Sequence, residues 1–88
     1  MTDAEVLERA NAALAKEFEL EGDRMRPEAD LREDLDLDSL DTVDMVVVLE
    51  QEFGIKIGKD PAIASIRTLG DIHIYLLQKK QEIEKNAG

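Results

Sequence analysis

Residues 34–54 constrain the fold more than any other stretch of this chain. They read Asp34-Leu35-Asp36-Leu37-Asp38-Ser39-Leu40-Asp41-Thr42-Val43-Asp44-Met45-Val46-Val47-Val48-Leu49-Glu50-Gln51-Glu52-Phe53-Gly54. The first half alternates carboxylates with leucines, and the second is a dense apolar run that stops at a glycine. Apolar positions 40, 43, 46, 47, 49 and 53, with Met45 and Val48, cover well over half the circumference of a helix. A helix of that kind is wrapped by several neighbours. The Val46-Val47-Val48 run has poor intrinsic helix propensity, so packing must hold it. Asp38 suits the N-cap with Asp41 at the third helical position, and Gly54 suits the terminator. This spacing puts Val43, Val46 and Leu49 in the core. It leaves Asp38, Asp41, Asp44 and Glu52 on the remaining arc, with Gln51 beside it.

The rest of the chain must supply those neighbours. Thr2 and Glu5 have the spacing of a capping box, and Val6, Leu7, Ala10, Ala13, Leu14 and Phe18 follow at three- and four-residue steps. A first helix of about four turns is expected there. Residues 19–38 lack a sustained period and contain Gly22 and Pro27, which marks a long loop. Leu20, Met25, Leu31, Leu35 and Leu37 are spaced through it, so it should pack on the helices, with a single turn at 31–35. Ile55-Lys56-Ile57-Gly58 reads as an extended connector, and Asp60-Pro61 opens a short helix. Thr68, with Asp71 three residues on, starts a last helix. Leu69, Ile72, Leu76 and Ile83 line one side of it, widened by Ile74, Tyr75 and Leu77, and 86–88 should fray. The expectation is an all-α fold: one domain over residues 1–88, a small antiparallel bundle of three main helices plus one short helix.

At 88 residues the core is thin, because so short a chain buries only about 60–65% of its unfolded surface. With two phenylalanines, one tyrosine and no tryptophan, that core must be aliphatic. There is no cysteine, which excludes disulfides, thiol catalysis and thiolate metal sites. No apolar run reaches the roughly 20 residues of a membrane span, and Met1-Thr2-Asp3-Ala4-Glu5 lacks the features of a signal peptide, so a cytoplasmic protein is expected. The net charge is −10, and residues 28–52 hold ten acids against Arg32. Nucleic acid and anionic membrane both want basic stripes and are not expected partners.

Candidate chemistry is sparse. His73, the only histidine, sits beside apolar helix positions and reads as structural. Asp34, Asp36 and Asp38 match the first three ligands of a calcium loop. The match then fails, with Ser39 at the glycine position and Met45 at that of the bidentate glutamate, so no metal site is expected. Ser65 reads as a helix surface residue. Ser39 is one of two serines and opens the apolar helix. The residues leave two readings open for it: a helix cap, or an attachment point in an acidic setting.

Asp38-Ser39-Leu40-Asp41-Thr42-Val43-Asp44, running on to Leu49-Glu50-Gln51-Glu52-Phe53, resembles the core of an acyl carrier protein. The order and length of the expected helices resemble that family over nearly the whole chain. The resemblance implies a carrier and not an enzyme. Ser39 would receive 4′-phosphopantetheine from coenzyme A through a phosphopantetheinyl transferase, with Asp38 and Leu40 bordering the attachment. Acyl groups would ride on the arm as thioesters, most simply in fatty acid biosynthesis. Asp38, Leu40, Asp41, Asp44, Val47, Glu50 and Glu52 would meet basic patches on acyl-transferring and fatty acid synthesis enzymes, and a monomer is expected. Two features depart from the family pattern. Asp36 stands where a glycine is common, and the segment Lys59 to Arg67 is not acidic, as the third helix often is. The alternatives are a dedicated carrier for a specialised lipid or secondary-metabolite pathway, an acidic helical adaptor with Ser39 unmodified, and a small calcium-responsive protein.

Overall fold

The structure, a computed structural model, describes residues 1–87. Helix α1 runs over Asp3–Phe18, α2 over Ser39–Phe53, α3 over Leu69–Gln78 and α4 over Lys80–Ala87. Two 3-10 turns, Gly22–Arg24 and Pro61–Ser65, lie in the connections. The caps follow from local sequence. The Thr2 and Thr68 side chains each accept from the backbone N–H three residues on, while Glu5 and Asp71 reach back to the cap N–H groups. Each such cap stabilises its helix by about 1 kcal/mol. Asp60 caps the second 3-10 turn through Ala62 N, with Pro61 at its first position. Gly54 closes α2 at φ 65°, a left-handed conformation that glycine adopts without cost.

Helix α1 packs on α2 and α3 through buried Val6, Ala10 and Leu14, and α4 packs on α2 and α3 through buried Ile83. The small Ala10 lets the helices approach closely. The long α1–α2 connection is part of the core: Met25, Ala29, Leu31, Leu35 and Leu37 are buried, and Leu20 is half-buried against them. The expected turn at 31–35 forms, with Asp34 N and Leu35 N both donating to Asp30 O. His73 is buried, its Nε2 2.7 Å from Asn11 Oδ1 across the α1–α3 interface. Burial holds its pKa below the ordinary imidazole value. Among the described residues no helix is long and apolar enough to cross a membrane.

Four expectations need correction. Val43, assigned to the core, is 63% exposed. Its step of three from Leu40 puts it on the outward stripe, and the inward face of α2 is filled by Met45, Val46, Leu49 and Phe53. Ile74 points outward in the same way. The short helix after Asp60 is 3-10 in type. The expected single last helix divides at Lys79, whose N–H bonds to Leu76 O and tightens the final turn of α3. The Lys79 ammonium lies 3.4 Å from Asp60 Oδ2, and that same oxygen accepts the Tyr75 hydroxyl at 2.7 Å, so the division sits on a tertiary anchor. Of residues 86–88, where fraying is expected, α4 extends through Ala87, and Gly88 lies outside the described residues.

Candidate functional site

Ser39 occupies the first helical position of α2, just after the cap. Asp38 provides the cap: its Oδ1 accepts from Asp41 N at 3.0 Å, and Asp41 Oδ2 accepts from Asp38 N at 3.1 Å. Thr42 adds a bond from its hydroxyl to Asp38 O. The capping duty therefore falls on Asp38 and Asp41, and the exposed Ser39 hydroxyl makes no hydrogen bond among the described residues. Of the two readings left open by sequence, the geometry removes the cap.

The loop that delivers Ser39 is fastened to the start of α3 and to the residues just before it. Gly70 N donates to Pro27 O at 2.7 Å, Leu69 N to Ala29 O, Leu31 N to Arg67 O at 2.9 Å, and Leu37 N to Leu31 O at 2.8 Å. Asp30 and Thr68 form an antiparallel bridge in the middle of this run. Gly70 is required here by close approach, since a Cβ would sit 2.8 Å from Pro27 O. Asp71 secures the other strand of the contact, its Oδ2 accepting from Arg67 N and Thr68 N. Those backbone donors hold its carboxyl below the ordinary aspartate value. Asp36 stands at φ 57°, the left-handed region, at the point where the loop turns toward the cap. An aspartate there costs more than a glycine would, although its short polar side chain tolerates the region better than most.

Ser39 lies on the rim of a cleft of about 430 Å³, whose walls include Leu31, Arg32, Leu37, Ile66 and Arg67. Beyond it, Leu40 and Val47 are 77% and 43% exposed and share one stripe of α2 with Val43. Asp44 is exposed beside that stripe, with no ion pair among the described residues. The two other acids grouped with it by sequence are engaged elsewhere. Glu50 Oε2 accepts from Ile57 N at 2.8 Å and Gly58 N at 3.0 Å, pinning the connector that follows α2. Glu52 Oε2 lies 2.9 Å from Arg9 Nη2, and the Arg9 guanidinium also stacks over Phe53. So the structure gathers Asp38, Ser39, Leu40, Asp41, Asp44 and Val47 around one end and side of α2. Glu50 and Glu52 instead make contacts within the chain. Sequence reasoning missed Arg67 and Ile66 as site neighbours, because they come beside Ser39 through long-range contacts of the loop, such as the Asp30–Thr68 bridge and the bond from Leu31 N to Arg67 O.

An uncommitted hydroxyl at a cleft edge, with arginines and apolar walls next to it, fits a serine that carries a phosphate-linked group. Comparison with known proteins shows the family. A sequence model of the family described as phosphopantetheine attachment site matches residues 8–76. The chain is similar to acyl carrier protein 2 of Ralstonia nicotianae, 42% identical over 72 residues, which cover 82% of this chain and 88% of the relative. It is also similar to an acyl carrier protein of Thermosynechococcus vestitus, 34% identical over 90% of this chain and 96% of the relative. One from Cyanidioschyzon merolae is 31% identical over 98% of this chain and 93% of the relative. The chain therefore belongs to the acyl carrier protein family, whose members are carriers with a covalently attached 4′-phosphopantetheine and not enzymes.

Proposed function

We propose that Ser39 is the residue that carries the prosthetic group and that the protein presents acyl intermediates to the enzymes of fatty acid biosynthesis. The free Ser39 hydroxyl carries this reading: it is exposed, and Asp38 has taken over the capping duty that would otherwise occupy it. When bound, the group supplies a flexible arm ending in a thiol, which holds acyl groups as thioesters and serves a chain that has no cysteine.

The chain's own residues supply position and steering. The capping box holds Ser39 on the first turn of α2. Leu40, Val43 and Val47 offer an apolar stripe to a partner, and Asp44 adds charge that attracts a basic patch. Such charge mainly raises encounter rate and sets orientation. Asp38 and Asp41 add to the same field while their carboxylates serve the cap.

Intact mass measurement after incubation with coenzyme A and a promiscuous phosphopantetheinyl transferase tests the attachment. A gain of one phosphopantetheine is expected, and none in Ser39→Ala. No gain on folded wild-type protein would sink the proposal in favour of an acidic adaptor. For the steering face, Asp44→Lys should slow transferase loading by about tenfold at low salt, with high salt removing much of the difference. Asp44 is the sharper probe than Asp41, whose change would also break the cap.

A further inference from the structure

We propose that Arg32 and Arg67 form a clasp for the phosphodiester on Ser39, laying the start of the arm into the adjacent cleft. This rests on the reading that Ser39 is the attachment residue, and goes beyond it by assigning where the attached group lies.

Three observations converge. First, both arginines and Ser39 line the same cleft of about 430 Å³. Their backbones are fixed relative to one another by hydrogen bonds. Leu31, next to Arg32, donates its N–H to Arg67 O, and Leu37, two residues before Ser39, donates to Leu31 O. Arg32 N is itself held by Asp30 Oδ1 at 2.9 Å.

Second, neither guanidinium has a hydrogen bond or ion pair among the described residues, although residues 28–52 hold ten acids. Three of the acids near them, Asp30, Glu33 and Asp38, line the same cleft. Asp30 Oδ1 is spent on the N–H groups of Arg32 and Glu33, and Asp38 Oδ1 on Asp41 N. Among the described residues Glu33 is the one acid of this lining whose carboxylate has no such bond, and it makes no ion pair with either arginine. A phosphodiester has one negative charge on two free oxygens, which the planar fork of a guanidinium matches better than a lone ammonium would.

Third, Leu37 and Ile66 give the cleft an apolar surface suited to the methyl groups of a pantetheine. Asp38 repels the phosphate, so the two arginines decide whether the arm rests inward or points to solvent. Both are exposed, which makes the clasp salt-sensitive and readily released to a partner.

Isotope-labelled protein with an unlabelled arm attached tests this, intact mass first showing one arm per chain. Wild type should give Overhauser contacts between the paired methyl groups of the arm and the Leu37 and Ile66 side chains. The Arg32 and Arg67 Nε–H resonances should shift between the unmodified and modified proteins. Arg32→Gln combined with Arg67→Gln should lose the contacts while its amide spectrum stays that of a folded bundle. Arg67→Lys should retain part of them, and high salt should weaken them in wild type. An attached arm with no contacts and unmoved arginine resonances overturns the clasp while leaving the attachment reading intact. Contacts that survive in the double variant also overturn it, since the apolar wall would then suffice. Failure of the mass gain itself overturns both readings.

Discussion

The two ends of α2 are built from the same residue types and do opposite work. At the N-terminal end, Leu40 and Val43 face solvent beside an exposed Asp44. At the C-terminal end, Leu49 and Phe53 are buried, and Glu50 and Glu52 are tied to the Ile57–Gly58 backbone and to Arg9. An acid or an aliphatic residue on this helix is thus a surface device or a structural part according to what the rest of the chain places against it. The outward end is left exposed among the described residues because the loop before α2 packs on the start of α3 and the residues just before it.

Substitution can test how far that division holds. The largest difference should appear between Leu49→Ala and Leu40→Ala. Leu49 is 2% exposed, so its truncation should cost about 2–5 kcal/mol in denaturant unfolding. Leu40→Ala should stay within about 0.5 kcal/mol. Similar losses at both sites would mean that the outward stripe is covered. Next in size is Glu50→Ala. It leaves the buried Ile57 without its carboxylate acceptor and should destabilise by about 1–3 kcal/mol, whereas Asp44→Ala should leave stability nearly unchanged. If Glu50→Ala slowed transferase loading as Asp44→Lys does, without loss of stability, the contrast between the two ends would fail.

The smallest effect concerns pH and extends the contrast to α3. His73 is buried against Asn11 and its folded-state pKa lies below the ordinary value of 6.5. The unfolded chain therefore binds the proton more readily. This contribution to stability is fully present above the unfolded value and is lost as pH falls from there to the folded value. Melting temperature should decline over that interval, ahead of the carboxylate region, and His73→Gln should flatten the decline. An unchanged slope in the variant would remove His73 from the account. Asp71, whose pKa is also lowered, has the same sign at lower pH.

The starts of α1, α2 and α3 were legible in the sequence because each capping box closes over a step of three residues: Thr2 with Glu5, Asp38 with Asp41, Thr68 with Asp71. The inward packing of the long loop was also legible, from leucines spaced through a stretch without helical period. The stripe on α2 was not. Eight apolar positions surround that helix, and periodicity cannot say which of them a neighbour will cover. The fates of Glu50 and Glu52 were hidden for a similar reason, since their partners lie on other elements. Glu52 meets Arg9, 43 positions away. The division of the last helix at Lys79 depends on Asp60, 19 positions earlier, and so left no local mark.

Sequence by itself therefore determined the helical class, the starts of α1, α2 and α3, and the serine worth testing. Each rests on hydrogen bonds or periodicities that close within a turn or two of helix. Tertiary structure decided that Val43 faces solvent, that Glu50 and Glu52 bond within the chain, and that Arg67 stands beside Ser39. The last of these rests on a backbone bridge between Asp30 and Thr68, 38 positions apart. Contacts of that reach form only when the apolar faces of all four helices and the loop close on one another, and no local pattern of residues encodes their register.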